Sequence, residues 1–180
     1  PDFTNAYVNL GEILSNLGNL KEAELSTRKA IELNPDSADL HSNLGIILKG
    51  LGNLKEAELS TRKAINLNPN SADLYSNLGI ILKDLGNLNE AELSTRKAIK
   101  LNPESAEAHS NLGNILKNIG KLEEAGFSYK KAIQINPNYA EAHYNLGIIF
   151  KNLGKLKEAE ISIHKTIKIK PDLAESHIIL

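Results

Sequence analysis

Residues 72–105 read ADLYSNLGIILKDLGNLNEAELSTRKAIKLNPES, and the rest of the chain is built from variants of this stretch. Its Asn77-Leu78-Gly79 triplet recurs as Asn9-Leu10-Gly11, Asn43-Leu44-Gly45, Asn111-Leu112-Gly113 and Asn145-Leu146-Gly147, always 34 residues apart. Pro35, Pro69, Pro103, Pro137 and Pro171 keep the same step. A fixed period of this length marks a solenoid, because one such unit cannot bury its apolar face alone and must stack on its neighbours.

The period divides the chain into repeats at 4–37, 38–71, 72–105, 106–139 and 140–173, with 174–180 opening a sixth. Repeats two and three differ at five positions only: His41/Tyr75, Gly50/Asp84, Lys55/Asn89, Asn66/Lys100 and Asn70/Glu104. Columns shared by these two carry little independent weight, whereas columns that persist into the more divergent repeats one, four and five carry more. One solenoid domain over 1–180 is expected rather than two globular ones. The chain opens on Pro1, in the proline column, and stops at Leu180 inside a first helix, as a fragment of a longer protein would.

Each repeat reads as two helices. Leu74, Leu78, Ile81, Leu82 and Leu85 recur at helical spacing in the first. Asn-Pro-x-Ser precedes it, so that proline stops the previous helix and Ser71 or Ser105 caps the next. Gly86 ends the first helix, since glycine tolerates a left-handed conformation. Asn87 is expected to cap the second helix reciprocally with Glu90, as are Asn19 with Glu22 and Asn53 with Glu56. Lys121 and Lys155 stand where that asparagine should be, so those second helices should start less firmly. Leu88, Ala91, Ala98, Ile99 and Leu101 form the second helix's apolar face.

Tyr75, Leu78, Gly79, Leu82, Gly86, Ala91, Ala98 and Pro103 together resemble the tetratricopeptide repeat. The resemblance covers essentially the whole chain. It implies an all-α fold, a right-handed α-α superhelix of stacked antiparallel helix pairs, that binds peptides or proteins. It also implies that Gly79, Ala91 and Ala98 sit where helices approach most closely, and that an added methyl there would cost about 1–3 kcal/mol.

Composition narrows the function classes. Hydrophobic residues are 41% of the chain and the net charge is −1 with both signs interspersed, which argues against a nucleic-acid partner. Zero cysteines exclude a disulfide framework and a thiolate metal site, and fit a cytoplasmic protein. No apolar run is long enough for a membrane span, and no signal peptide is visible. Neither a nucleophile elbow, a phosphate loop nor a zinc-protease motif is present, so no enzyme activity and no cofactor are expected.

Four columns carry candidate function. His41, His109, His143 and His177 resemble a ligand set on paper, but helix axes pack about 8–10 Å apart whereas ligands lie about 2 Å from one ion. Tyr7 and Tyr75 fill the same column, so packing is the better reading and no metal is expected. Asp39, Asp73, Glu107, Glu141 and Glu175 open the first helices, and Lys49, Lys83, Lys117 and Lys151 close them. These charges complement the helix dipole, or steer a partner along a groove they border. Glu24/Arg28, Glu58/Arg62 and Glu92/Arg96 are i, i+4 pairs on second helices.

The fourth column is Asn9, Asn43, Asn77, Asn111 and Asn145. Asparagine is a mediocre mid-helix residue, because its side chain competes for backbone hydrogen bonds. Two explanations stand open: a hydrogen bond to the neighbouring repeat, or contact with a bound peptide. His41-Ser42-Asn43-Leu44, Tyr75-Ser76-Asn77-Leu78 and His109-Ser110-Asn111-Leu112 resemble repeats of O-linked N-acetylglucosamine transferase. That resemblance implies an asparagine ladder on the concave face, holding a peptide by its backbone; an amide offers the donor and acceptor needed. The basic carboxylate clamp of chaperone-binding tetratricopeptide domains is not matched, since its columns hold Asp39, Asp73, Glu107 and Glu141, or Ser42, Ser76 and Ser110.

The sequence therefore predicts a non-catalytic interaction module that displays a groove to an extended peptide or protein segment, with Asn9, Asn43, Asn77, Asn111, Asn145, Lys49, Lys83, Lys117 and Lys151 as its peptide-binding residues. The alternative is a substrate-recruiting arm of a larger glycosyltransferase or sulfotransferase. Ile178, Ile179 and Leu180 on a lone half-hairpin, and Ile163 and Thr166 in place of Thr61 and Ala64, predict an exposed apolar end, and with it either self-association end to end or fraying of Ala174 to Leu180.

Overall fold

Glycine and proline punctuation sets the helix limits. A computed structural model describes residues 2–171; the expected sixth repeat, with Glu175, His177, Ile178, Ile179 and Leu180, lies outside the described residues. These hold ten helices and no strand: α1 (Asp2–Asn16), α2 (Leu20–Leu33), α3 (Ala38–Gly50), α4 (Leu54–Leu67), α5 (Ala72–Asp84), α6 (Leu88–Leu101), α7 (Ala106–Ile119), α8 (Leu122–Ile135), α9 (Ala140–Asn152) and α10 (Leu156–Ile169). None is long and apolar enough to cross a membrane. The fold is all-α, as the periodicity predicts. Between Ser94 and Thr95 the chain divides into two compact units.

The turn inside each repeat is closed by backbone alone. Gly18, Gly52, Gly86, Gly120 and Gly154 all have φ between 72° and 92°. Around Gly52 the Gly52 amide donates to the Lys49 carbonyl (3.0 Å) and the Asn53 amide to Leu48 (2.9 Å). This is a Schellman ending, which satisfies carbonyls that the last turn leaves open. The same pair of bonds recurs around Gly120, where Lys121 donates to Leu116 (2.9 Å).

This turn corrects the expected reciprocal caps. Asn19 and Asn53 make no side-chain cap bond, because ψ near 60° keeps their side chains off the N-terminal amides. Lys121 and Lys155 adopt the same backbone conformation, so their second helices begin like the others. Only the backbone amide of this residue is needed, and lysine supplies it as well as asparagine. At the first helices, Ser37 accepts from the Leu40 amide (3.4 Å) and Ser105 from Ala108 (3.1 Å), while Ser71 makes no such bond.

In the first unit α1 packs on α2 and α3 on α4, and α2–α3 and α4–α5 join successive pairs. Ala23, Ala30, Ala57 and Ala64 are wholly buried. Gly45 lies so close to α4 that a Cβ there would collide with the Thr61 hydroxyl, and at Gly11 it would come within 2.8 Å of the Thr27 hydroxyl. In the second unit α7 pairs with α8 and α9 with α10, joined through α8–α9. Leu116, Ala125, Tyr129, Ala132, Ala142 and Ile149 form its core.

Ile163 and Thr166 correct a second expectation, as both are completely buried. Ile163 takes the place of Thr27 and Thr61, pointing at the first helix of its own repeat, 2.7 Å from where a Cβ on Gly147 would lie. Thr166 donates to the Ser162 carbonyl (3.1 Å).

Gly113 tests this packing most directly. A Cβ there would come within 2.6 Å of the Tyr129 ring, which is itself fully buried. Gly113→Ala should lower stability by about 1–3 kcal/mol through overpacking, despite alanine's better helix propensity. Urea unfolding of the variant checks this; unchanged stability would mean that the ring has room to move.

Candidate functional site

The first helices present the asparagine column on one face of each unit. In the first unit Asn43 lines a cleft of about 280 Å³ between α1 and α3, with Val8, Gly11, Glu12, Ser15 and Ile46. Asn9 is exposed on α1 and Asn77 half-buried on α5. The cleft mixes apolar walls with carboxylate, hydroxyl and amide groups. Lys49 and Lys83 are half-buried in the last turns of α3 and α5, and Lys83 lies 3.2 Å from Asp84.

The second unit joins two of the predicted columns. Asn145 is buried, and its Oδ1 accepts a 3.2 Å bond from Lys117 Nζ of the preceding repeat. Asn111 is half-buried on α7, and Lys151 exposed at the end of α9. Beside them the Tyr129 hydroxyl donates to Asn114 Oδ1 (2.8 Å), and Asn114 Nδ2 donates to Glu141 (3.4 Å). Burial pushes the Tyr129 phenol far above its usual pKa, and the Glu141 charge adds to the effect. Tyrosine here thus stays a neutral donor.

The histidine column is a packing column. His41, His109 and His143 each bring Nε2 to the carbonyl of the proline six residues earlier, at 2.9, 3.0 and 3.0 Å. A carbonyl only accepts, so each ring must donate there. The ring ties the start of a first helix to the loop before it.

The sequence reading missed a second set of bonds. Arg28 pairs with Glu24 on its own helix (2.8 Å), as expected, but also with Glu56 one repeat on. Arg62 pairs likewise with Glu58 (2.9 Å) and Glu90, and Arg96 with Glu124 (3.1 Å). All three cross-repeat pairs are 28 residues apart, as are Lys117 and Asn145. A residue six positions short of one full repeat is therefore a lateral neighbour. Such exposed pairs contribute about 0–1 kcal/mol each.

Family models described as tetratricopeptide repeat match residues 4–37 and 72–105, 27–58 and 95–126, and 140–173, and a TPR repeat model matches 113–154. No curated protein sequence matches the chain. Among solved structures, MamA is 24% identical with a TM-score of 0.79, over 99% of this chain and 98% of that one. YrrB, described as a TPR protein with an unusual peptide-binding site, is 27% identical with a TM-score of 0.76, over 99% and 97%. The pilF protein of Pseudomonas aeruginosa is 24% identical with a TM-score of 0.87, over 97% and 80%. At these identities MamA and pilF bear on the fold.

The Lys117–Asn145 bond is measurable. In a double-mutant cycle of Lys117→Ala and Asn145→Ala, urea unfolding should give a coupling of about 0.5–1.5 kcal/mol. Purely additive losses would mean that the two side chains do not meet in solution.

Proposed function

The chain belongs to the tetratricopeptide-repeat family, and from that premise we propose that it works without catalysis, as a scaffold holding an extended peptide along the face of its first helices. The observation that carries this reading is the cleft between α1 and α3, where the Asn43 amide stands beside Glu12 and Ser15 over apolar Val8 and Ile46. An extended peptide brings unpaired N–H and C=O groups, and leaving these unmet over apolar surface costs about 1–3 kcal/mol each. A side-chain amide meets one of each kind. The resemblance of the His/Tyr-Ser-Asn-Leu runs to transferase repeats supports the same role.

In this reading the column divides its labour. Asn9, Asn43, Asn77 and Asn111 contact the peptide backbone, while Asn145, held by Lys117, keeps adjacent first helices in register and offers the peptide only its remaining amide capacity. Lys49, Lys83 and Lys151 border the site and favour segments with acidic side chains. Backbone recognition predicts tolerance of varied peptide sequences. The partner is a peptide or protein segment, and no nucleic acid, membrane or cofactor enters the mechanism.

The test is a random-sequence peptide array probed with the purified chain, followed by calorimetric titration of the tightest binder. Asn43→Ala combined with Asn77→Ala should weaken that peptide about ten- to hundredfold, since two hydrogen bonds of about 0.5–1.5 kcal/mol are lost. The melting temperature should barely change, because alanine is the better helix former. Unchanged affinity with a clear drop in melting temperature would make the asparagines scaffold.

A further inference from the structure

The second helices carry a feature that the first-helix groove does not use. Leu25, Leu59 and Leu93 in the first unit are 67%, 69% and 69% exposed, and Phe127 and Ile161 in the second are 65% and 69% exposed. They stand one repeat apart, in one register. Single exposed leucines are ordinary. Five in one column are not, and the column stays large and apolar in repeats four and five although its neighbours change, with Lys130 standing where earlier repeats have Arg28 and Arg62.

Clefts open beside these side chains at equivalent places in both units. In the first, Ile31, Leu44 and Leu59 line a cleft of about 450 Å³ with Arg28, Glu56 and Lys63 around it. In the second, Ile99, Leu112 and Phe127 line one of about 360 Å³ with Arg96, Lys100 and Glu124. Each has room for a leucine or phenylalanine side chain. Glu56 and Glu124 are already taken by Arg28 and Arg96. A lysine follows every exposed apolar residue four positions on, at Lys29, Lys63, Lys97, Lys131 and Lys165; of these Lys29 pairs with Glu32 at the rim of the first cleft (2.7 Å) and Lys131 donates to Gln134 (2.9 Å).

We propose that the second-helix cleft of each unit forms a separate docking site for an acidic amphipathic helix, which inserts an apolar side chain into the cleft and lays carboxylates against the lysines beside it. A leucine at every seventh residue keeps one apolar face along such a helix. The cleft linings hold no asparagine or glutamine. An extended peptide would find no amide there to meet its backbone, whereas a helix satisfies its own. The site does not depend on the first-helix reading, and either can fail alone.

The probe is a fluorescein-labelled helical peptide of about 22 residues, three repeats of a seven-residue leucine spacing over about six turns, with glutamates flanking each leucine and alanine elsewhere. The wild-type chain should bind it, more weakly as salt rises. Leu59→Asp combined with Leu93→Asp should weaken it at least about tenfold. Melting temperature should hold, since both side chains are exposed, and Asn43→Ala with Asn77→Ala should leave the peptide's affinity unchanged. Absence of binding, or binding that ignores the Leu59 and Leu93 changes, overturns the proposal. So does a homodimer in sedimentation that those changes dissolve, which makes the occupant a second copy. Co-sedimentation with phosphatidylserine-containing vesicles that the same changes abolish makes it a lipid surface and equally overturns it.

Discussion

The structure depends on one close approach. In two pairs of each unit a glycine of the first helix faces a side chain sixteen residues on: Gly11 faces Thr27 and Gly45 Thr61 in the first, Gly113 Tyr129 and Gly147 Ile163 in the second. Without a Cβ at the glycine, the helices close until the second helix's alanines are fully buried. That distance fixes the pair, and the left-handed glycine at the turn lets the chain reverse without help from any side chain. Residues in the facing position can then vary from Thr to Tyr to Ile, because each fills the same slot from the other side.

Once the pair is fixed, each repeat presents two chemically different faces. The first-helix face carries amides, hydroxyls and charged termini beside apolar residues such as Ile46. The second-helix face carries exposed Leu, Phe and Ile with arginine–glutamate pairs and lysines. These chemistries suit different ligands. Amides complement an extended backbone, while apolar clefts rimmed by charge complement a helix that has already satisfied its own. A family-level identification says nothing of this division, because it arises at positions that the fold leaves open.

Helix limits were legible in the sequence because glycine and proline columns act locally. The turn asparagines were misread because their role depends on backbone angles that residue identity does not specify; lysine at 121 and 155 was the available clue. Ile163 was misread for a different reason. Exposure was inferred from its place near the end of the chain, whereas its direction is set inside its own repeat, toward Gly147. The Arg28–Glu56 contact was missed because charge pairing was sought within one helix, whereas the Lys117–Asn145 bond is the kind of link to a neighbouring repeat that the asparagine column left open as one explanation, with its lysine partner unnamed. The period held the signal, since lateral neighbours lie one repeat minus six residues apart. The exposed column from Leu25 to Ile161 also stood in the sequence, but whether a second-helix leucine faces core or solvent needs the pair geometry first.

The central claim is that side-chain amides of the first helices meet a peptide backbone. The most direct measurement is the ¹H–¹⁵N spectrum of the asparagine side chains, followed as an array-selected peptide is added. The Asn43 and Asn77 Nδ2 resonances should shift strongly and saturate with the peptide, while Asn145, buried and bonded to Lys117, should shift little. Saturating shifts confined to residues of the second helices, with Asn43 and Asn77 unmoved, would contradict the account.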